Sequence, residues 1–198
     1  MDADLIVSLI VFATVTSITP GPNNLMLLAS GVNFGFRRTI PHMLGVGIGF
    51  MVMLALVGLG LGQIFGRFPA IYTAMKFIGI AYMLWLAWKI AHSGPAGDGR
   101  AGARPMTFLA AAAFQWINPK AWVMSLSAAT TYSIAGAPVW SALLVSLVFG
   151  AVNLPNVSAW ALFGSTLRTY LNDPVWLRVF NWSMAALLVA SVVPLIWL

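Results

Sequence analysis

The sequence predicts an all-α fold: a polytopic membrane protein of six transmembrane helices, arranged as two inverted three-helix repeats, with helices 1 and 4 broken. Three observations carry this. The 198 residues are 61% hydrophobic and only 7% charged, more apolar surface than a soluble domain of this size can hide. Several apolar stretches run for about 20 residues, the length that crosses ~30 Å of hydrocarbon. One polar stretch rich in Gly and Pro, at 92–106, divides the chain almost in half, with three spans on each side. The whole chain, 1–198, then forms a single transmembrane domain: repeat one over about 1–91, a cytoplasmic linker over 92–106 and repeat two over about 107–198.

Leu5 to about Leu28 is the first span. It is interrupted at Thr19-Pro20-Gly21-Pro22-Asn23-Asn24. Neither proline has an N–H, so the carbonyls of Thr16 and Ile18 lose their helical donors. No cleavable signal is expected at the N-terminus, which opens with Asp2 and Asp4 rather than a basic region. Asn33 to Arg38 reads as a short polar turn. Met43 to Ile64 is the second span, roughly 33 Å if fully helical. Its Gly45/Gly49 and Gly58/Gly62 are each four apart and share a face, which suits close helix packing. Arg67 and Pro69 mark a tight turn, and Ala70 to Ala91 is the third span, with Lys76 snorkelling near its start and Trp88 in an interfacial belt. Thr107 to about Tyr132 is the fourth, broken at Asn118-Pro119-Lys120. Val139 to about Leu167 is the fifth, with a third interruption expected at Asn153-Leu154-Pro155-Asn156. About Val175 to Leu198 is the sixth.

Charge gives orientation. Arg37, Arg38, Lys89, Arg100, Arg104, Arg168 and Arg178 fall on one side of a six-span arrangement, Arg67 and Lys76 on the other. The positive-inside rule makes the first side cytoplasmic, with both termini periplasmic. The net charge of +6 is dispersed along span ends and indicates no nucleic-acid partner; the bilayer is the partner it fits. There is no cysteine and no glutamate, and the four acids, Asp2, Asp4, Asp98 and Asp173, lie at the N-terminus or in loops. Thiolate chemistry, disulfides and cysteine metal sites are excluded, and no metal or cofactor is expected.

Broken helices at corresponding positions of inverted halves point to a transporter's binding site. Pro20 lies about 15 residues into its span, ~22 Å along the axis, and Pro119 about 12 residues in, ~18 Å. Broken backbone at that depth is tolerated where it is buried or lines a wet cavity. The candidate substrate-binding set is therefore Thr19, Pro20, Gly21, Pro22, Asn23, Asn24, Gln115, Asn118, Pro119, Lys120, Asn153 and Asn156. The half-helix after Pro22 offers N–H groups and a positive dipole end to a carboxylate. Carbonyls freed at Gln115 and Ala151, with the amides, offer acceptors to an ammonium group. The set suits a small zwitterion. Lys120 is the one basic residue well inside a span, and a charge there marks either a functional position or a cap on neighbouring carbonyls. His42, at the cytoplasmic entry of the second span, is placed for proton coupling or as a polar anchor.

Several stretches resemble the LysE/RhtB family of amino-acid exporters. Thr19-Pro20-Gly21-Pro22-Asn23-Asn24 with Gly35-Phe36-Arg37-Arg38 is similar to that family's first-helix signature. Phe114-Gln115-Trp116-Ile117-Asn118-Pro119-Lys120 is similar to its fourth-helix signature, and Ala81 to Lys89 to its third-helix ending. Within the family the chain looks nearest to the branch exporting cysteine and O-acetylserine. The resemblance implies an exporter in the bacterial inner membrane, a multi-pass secondary transporter driven by the proton gradient. Several members carry an aspartate in the fifth helix where this chain has Asn153, which removes the carboxylate of such a proton relay. A homodimer is left open.

Other classes fit less well. No H-E-x-x-H or G-x-S-x-G pattern is present, and a Ser–Lys hydrolase pairing Lys120 with Ser125 would be a coincidence of placement, so an enzyme is not expected. A channel or a non-transporting membrane assembly factor would explain the glycine faces but not paired broken helices.

Overall fold

The computed structural model describes residues 3–93, 104–134, 136–171 and 173–193, and these are helical or connect helices. The helices are α1 (Ala3–Ile18), α2 (Pro22–Phe34), α3 (Phe36–Leu56), α4 (Gln63–Arg67), α5 (Pro69–Ala91), α6 (Phe108–Phe114), α7 (Pro119–Thr131), α8 (Pro138–Leu167) and α9 (Pro174–Ala190). A π turn at Val57–Leu61 follows α3, and a 3-10 turn at Gln115–Ile117 follows α6. Among the described residues, three helical stretches are long and apolar enough to cross a membrane: Phe36–Leu61, Thr73–Ala91 and Pro138–Leu167. The bent pair α1–α2 is a fourth, and Phe108–Ile117 and Pro174–Ala190 are shorter apolar helices. Large apolar side chains point outward along them, among them Val7, Val11, Phe77, Leu147 and Phe163. That much exposed apolar surface suits lipid rather than water.

The expected break in the first span is present. Extended backbone at Gly21 separates α1 from α2, and the two helices meet at 57°. α2 runs six residues beyond the expected end at Leu28 and is buried along almost its whole length, from Pro22 to Asn33. It lies against α8 at two glycines. A Cβ on Gly31 would collide with the Ala161 carbonyl, and one on Gly164 with the Leu28 carbonyl. The break in the fourth span is also present, with the 3-10 turn and Asn118 between α6 and α7.

Four expectations need correction. The polar turn over Asn33–Arg38 shrinks to Gly35 alone, whose φ of 80° lets α2 hand over to α3. The second span is not one helix from Met43 to Ile64. It starts at Phe36, and three alternating glycines unwind it, with Gly60 at φ 109°. Gly58 and Gly62 therefore meet different partners, Ala142 of α8 and Leu126 of α7, while Gly45 and Gly49 do share a face, against α6. Finally, Pro155 does not break α8, which is continuous from Pro138 to Leu167. The expected linker at 92–106 falls mostly on residues 94–103, outside the described residues.

Contacts define two ends. Asn33 of α2 and Asn181 of α9 exchange amide hydrogen bonds at 2.8 and 3.1 Å, and Asn181 also donates to the Ser93 carbonyl. The Phe36 N–H donates to Ser165 Oγ at 3.2 Å. Arg37, Arg38, Arg168, Lys89 and Arg104 belong to this end. At the other, Tyr132 after α7 bonds Ser8 of α1.

Candidate functional site

The two breaks meet. Asn23, in the first turn of α2, donates to Gln115 Oε1 at 2.8 Å, and Gln115 Nε2 donates back at 3.2 Å. Lys120, in the first turn of α7, reaches across the first break and donates from Nζ to the Thr19 carbonyl at 2.5 Å. Gly21 makes room for it, since a Cβ there would lie 2.8 Å from Lys120 Cδ. Between the breaks is an inner cavity of about 20 Å³, room for about one water molecule. Gly21, Asn23, Asn24, Asn118, Lys120 and Asn153 line it, from α2, α7 and α8.

The expected residues sort into three groups. Gly21, Asn23, Asn24, Asn118, Lys120 and Asn153 share the cavity. Thr19, Pro22, Gln115 and Pro119 frame it without lining it: Thr19 gives its carbonyl to Lys120, Pro22 and Pro119 open α2 and α7, and Gln115 is occupied by Asn23. Pro20 is exposed and faces away. Asn156 donates its amide to the Val152 carbonyl one turn back and is not among the residues lining the cavity.

The freed carbonyls also differ from expectation. Ile18 O accepts from Trp160 Nε1 at 3.3 Å. Asn24 Nδ2 donates to Ser17 O and Thr19 O at 2.8 and 2.9 Å, so Asn24 closes the end of α1 as well as lining the cavity. The Gln115 carbonyl is not free, because the 3-10 turn supplies the Asn118 N–H at 3.3 Å. Sequence reasoning missed Ser17. Its hydroxyl is buried beside the cavity without a hydrogen-bond partner among the described residues. Its place one turn before Pro20 was the available signal. Ser125 Oγ is likewise unpartnered while Lys120 is engaged with Thr19, so the two do not form a nucleophile–base pair.

A larger, outer cavity of about 550 Å³ opens between α2, α3, α5 and α6. His42 lines it. The ring is buried, and neither nitrogen has a hydrogen-bond partner among the described residues. This is not the interfacial anchor that its position beside Pro41 suggested.

The model of the LysE type translocator family matches residues 14–196, nearly the full chain. The chain belongs to the LysE translocator family. As a LysE translocator it is a transporter and not an enzyme. Similar curated proteins include the cysteine/O-acetylserine efflux protein of Klebsiella pneumoniae subsp. pneumoniae, 34% identical and aligned over 99% of both chains. The cysteine/O-acetylserine efflux protein of Escherichia coli strain K12 is 31% identical over 90% of both chains, and that of Salmonella typhimurium 32% over 77% of this chain and 78% of its own. No solved structure matches this translocator.

Proposed function

We propose that this chain is a secondary transporter that exports small zwitterionic amino acids, of the cysteine and O-acetylserine class, out of the cytoplasm across the bacterial inner membrane. The observation that carries the reading is the cation bridging two broken helices: Lys120 Nζ on the Thr19 carbonyl, at the wall of a polar cavity. Among the described residues its hydrogen-bond partner is that backbone carbonyl, and a substrate carboxylate is the stronger partner. Asn24, Asn118 and Asn153 then face the rest of the molecule, and Ser17 offers a spare hydroxyl. A site without a fixed acid suits a substrate that brings its own.

The same reading takes α1–α2, α3, α5, α6–α7, α8 and α9 as six crossings, with α1 to α5 and α6 to α9 as oppositely oriented halves. Gathering of Arg37, Arg38, Lys89, Arg104 and Arg168 at one end supports a cytoplasmic face there and periplasmic termini. Coupling to the proton gradient needs a titratable group on the path, and His42, facing the outer cavity, is the candidate. Counterflow of labelled O-acetylserine in proteoliposomes tests the carrier reading: saturable exchange is expected, and flux without exchange means a channel. A pH gradient that leaves the rate unchanged refutes the coupling.

A further inference from the structure

The outer cavity holds chemistry that the inner site does not use. We infer that it is a second substrate station, an entry site that takes an amino acid with an uncharged side chain and rejects dibasic ones. The inference rests on the export reading above. Size comes first: about 550 Å³ lies within the range of small-molecule pockets, whereas the inner cavity holds about one water. Of these two cavities, the outer is the one with room for an amino acid.

Chemistry comes second. A buried polar group without a partner costs free energy, and His42 has two such atoms. A neutral imidazole carries one N–H and one bare nitrogen. The two nitrogens point to opposite sides of the ring, so an α-amino acid satisfies one of them: its carboxylate accepts from the N–H once the buried ring turns toward the cavity. Ser30 does not compete for the ligand, because its hydroxyl is paired with Thr39 at 2.9 Å. Met26, Tyr82 and Trp85 give an apolar wall for the side chain.

Charge gives the selectivity. Lys89 and Arg104 line the cavity, and no carboxylate is among the described residues that line it. Such a site draws in a carboxylate and repels a second cation. On this reading the Asn23–Gln115 pair closes the way inward. Asn23 lines the inner cavity, and Met26, one turn later on α2, lines the outer. An amino acid passing between them exchanges its own polar groups for the two hydrogen bonds of that pair.

The chain has no cysteine, so a single introduced thiol is unique. Ala110, on α6, faces the outer cavity. In de-energised membranes, Ala110→Cys should react with N-ethylmaleimide. O-acetylserine should slow that reaction saturably, and lysine at the same concentration should not. Protection should persist in Lys120→Gln, and His42→Leu should raise the half-protecting concentration about tenfold, the effect of losing one hydrogen bond. Ser93→Cys, at the rim of the same cavity, serves if the Ala110 variant does not insert. An unreactive thiol, labelling that O-acetylserine does not slow, equal protection by lysine, or loss of protection in Lys120→Gln overturns the entry station. Counterflow by the wild type separates the two readings. If it is intact while the thiol is unprotected, only the entry station falls; if it is absent, export falls.

Discussion

The two broken helices solve one problem in different ways. At the second break every repair is local: Asn118 Oδ1 accepts the Lys120 N–H at 3.1 Å, the Gln115 carbonyl takes the Asn118 N–H, and Trp122 Nε1 donates to the Trp116 carbonyl at 2.7 Å. At the first break, Asn24 repairs two carbonyls from the next turn, but Lys120 and Trp160 arrive from 101 and 142 residues away. A break closed by its own neighbours is fixed once it folds. A break closed from α7 and α8 stays closed only while those helices keep their places. On the export reading proposed above, the difference assigns the roles: α6–α7 is the rigid platform, and the first break is where a substrate takes over a partner.

The largest effect should come from Lys120, the partner most readily exchanged. Lys120→Gln should reduce apparent affinity about tenfold to more than a hundredfold, the equivalent of ~1.5–3 kcal/mol, while the protein still inserts. Lys120→Arg should not restore it, since a planar guanidinium makes different contacts. Counterflow across a range of substrate concentrations reads this directly, and a wild-type profile for the glutamine variant would reduce Lys120 to a cap on Thr19. Next is Asn24→Leu, which leaves the Ser17 carbonyl without its donor and the Thr19 carbonyl to Lys120. It should cost about 2–3 kcal/mol, seen as a lowered melting temperature in detergent. If stability is unchanged, the first break is not held by Asn24. Asn118→Ala tests the platform: loss of an N-cap should cost ~1 kcal/mol, and Asn118→Ser should recover most of it. A larger loss that serine fails to rescue would make Asn118 more than a local cap. Smallest is Trp160→Phe, which removes one 3.3 Å hydrogen bond and should cost ~0.5–1 kcal/mol in the same melting assay, less than Asn24→Leu. The reverse order would shift the weight of the first break from α2 to α8.

Both breaks were legible because each proline stands where a helix can begin. Asn118 precedes Pro119 and Gly21 precedes Pro22, a capping or permissive residue followed by proline at the first helical position. Pro155 looked equivalent and is not. It follows Leu154, which cannot cap, so the missing N–H costs α8 one hydrogen bond without providing a new start. Asn156 and Ser158 side chains meanwhile bond the carbonyls of Val152 and Leu154. Pairing of Asn23 with Gln115 followed from the convergence of the breaks, although the sequence could not say that they would satisfy each other. Nothing local announced the outer cavity. It is assembled from α2, α3, α5 and α6, and His42 is buried only because those helices close over it.

The glycine contact between α2 and α8 limits how this molecule can move. With Gly31 and Gly164 placing backbone against backbone, α2 has no side-chain layer on which to slide or roll against α8. The Asn33–Asn181 amide pair ties the far end of α2 to α9 as well. α2, α8 and α9 therefore travel as one body, although α2 comes from the first half of the chain and the other two from the second. Rocking of one sequence half against the other would have to tear this seam. The break at Gly21 lies outside this seam, so the first span can bend there while α2 keeps its place against α8.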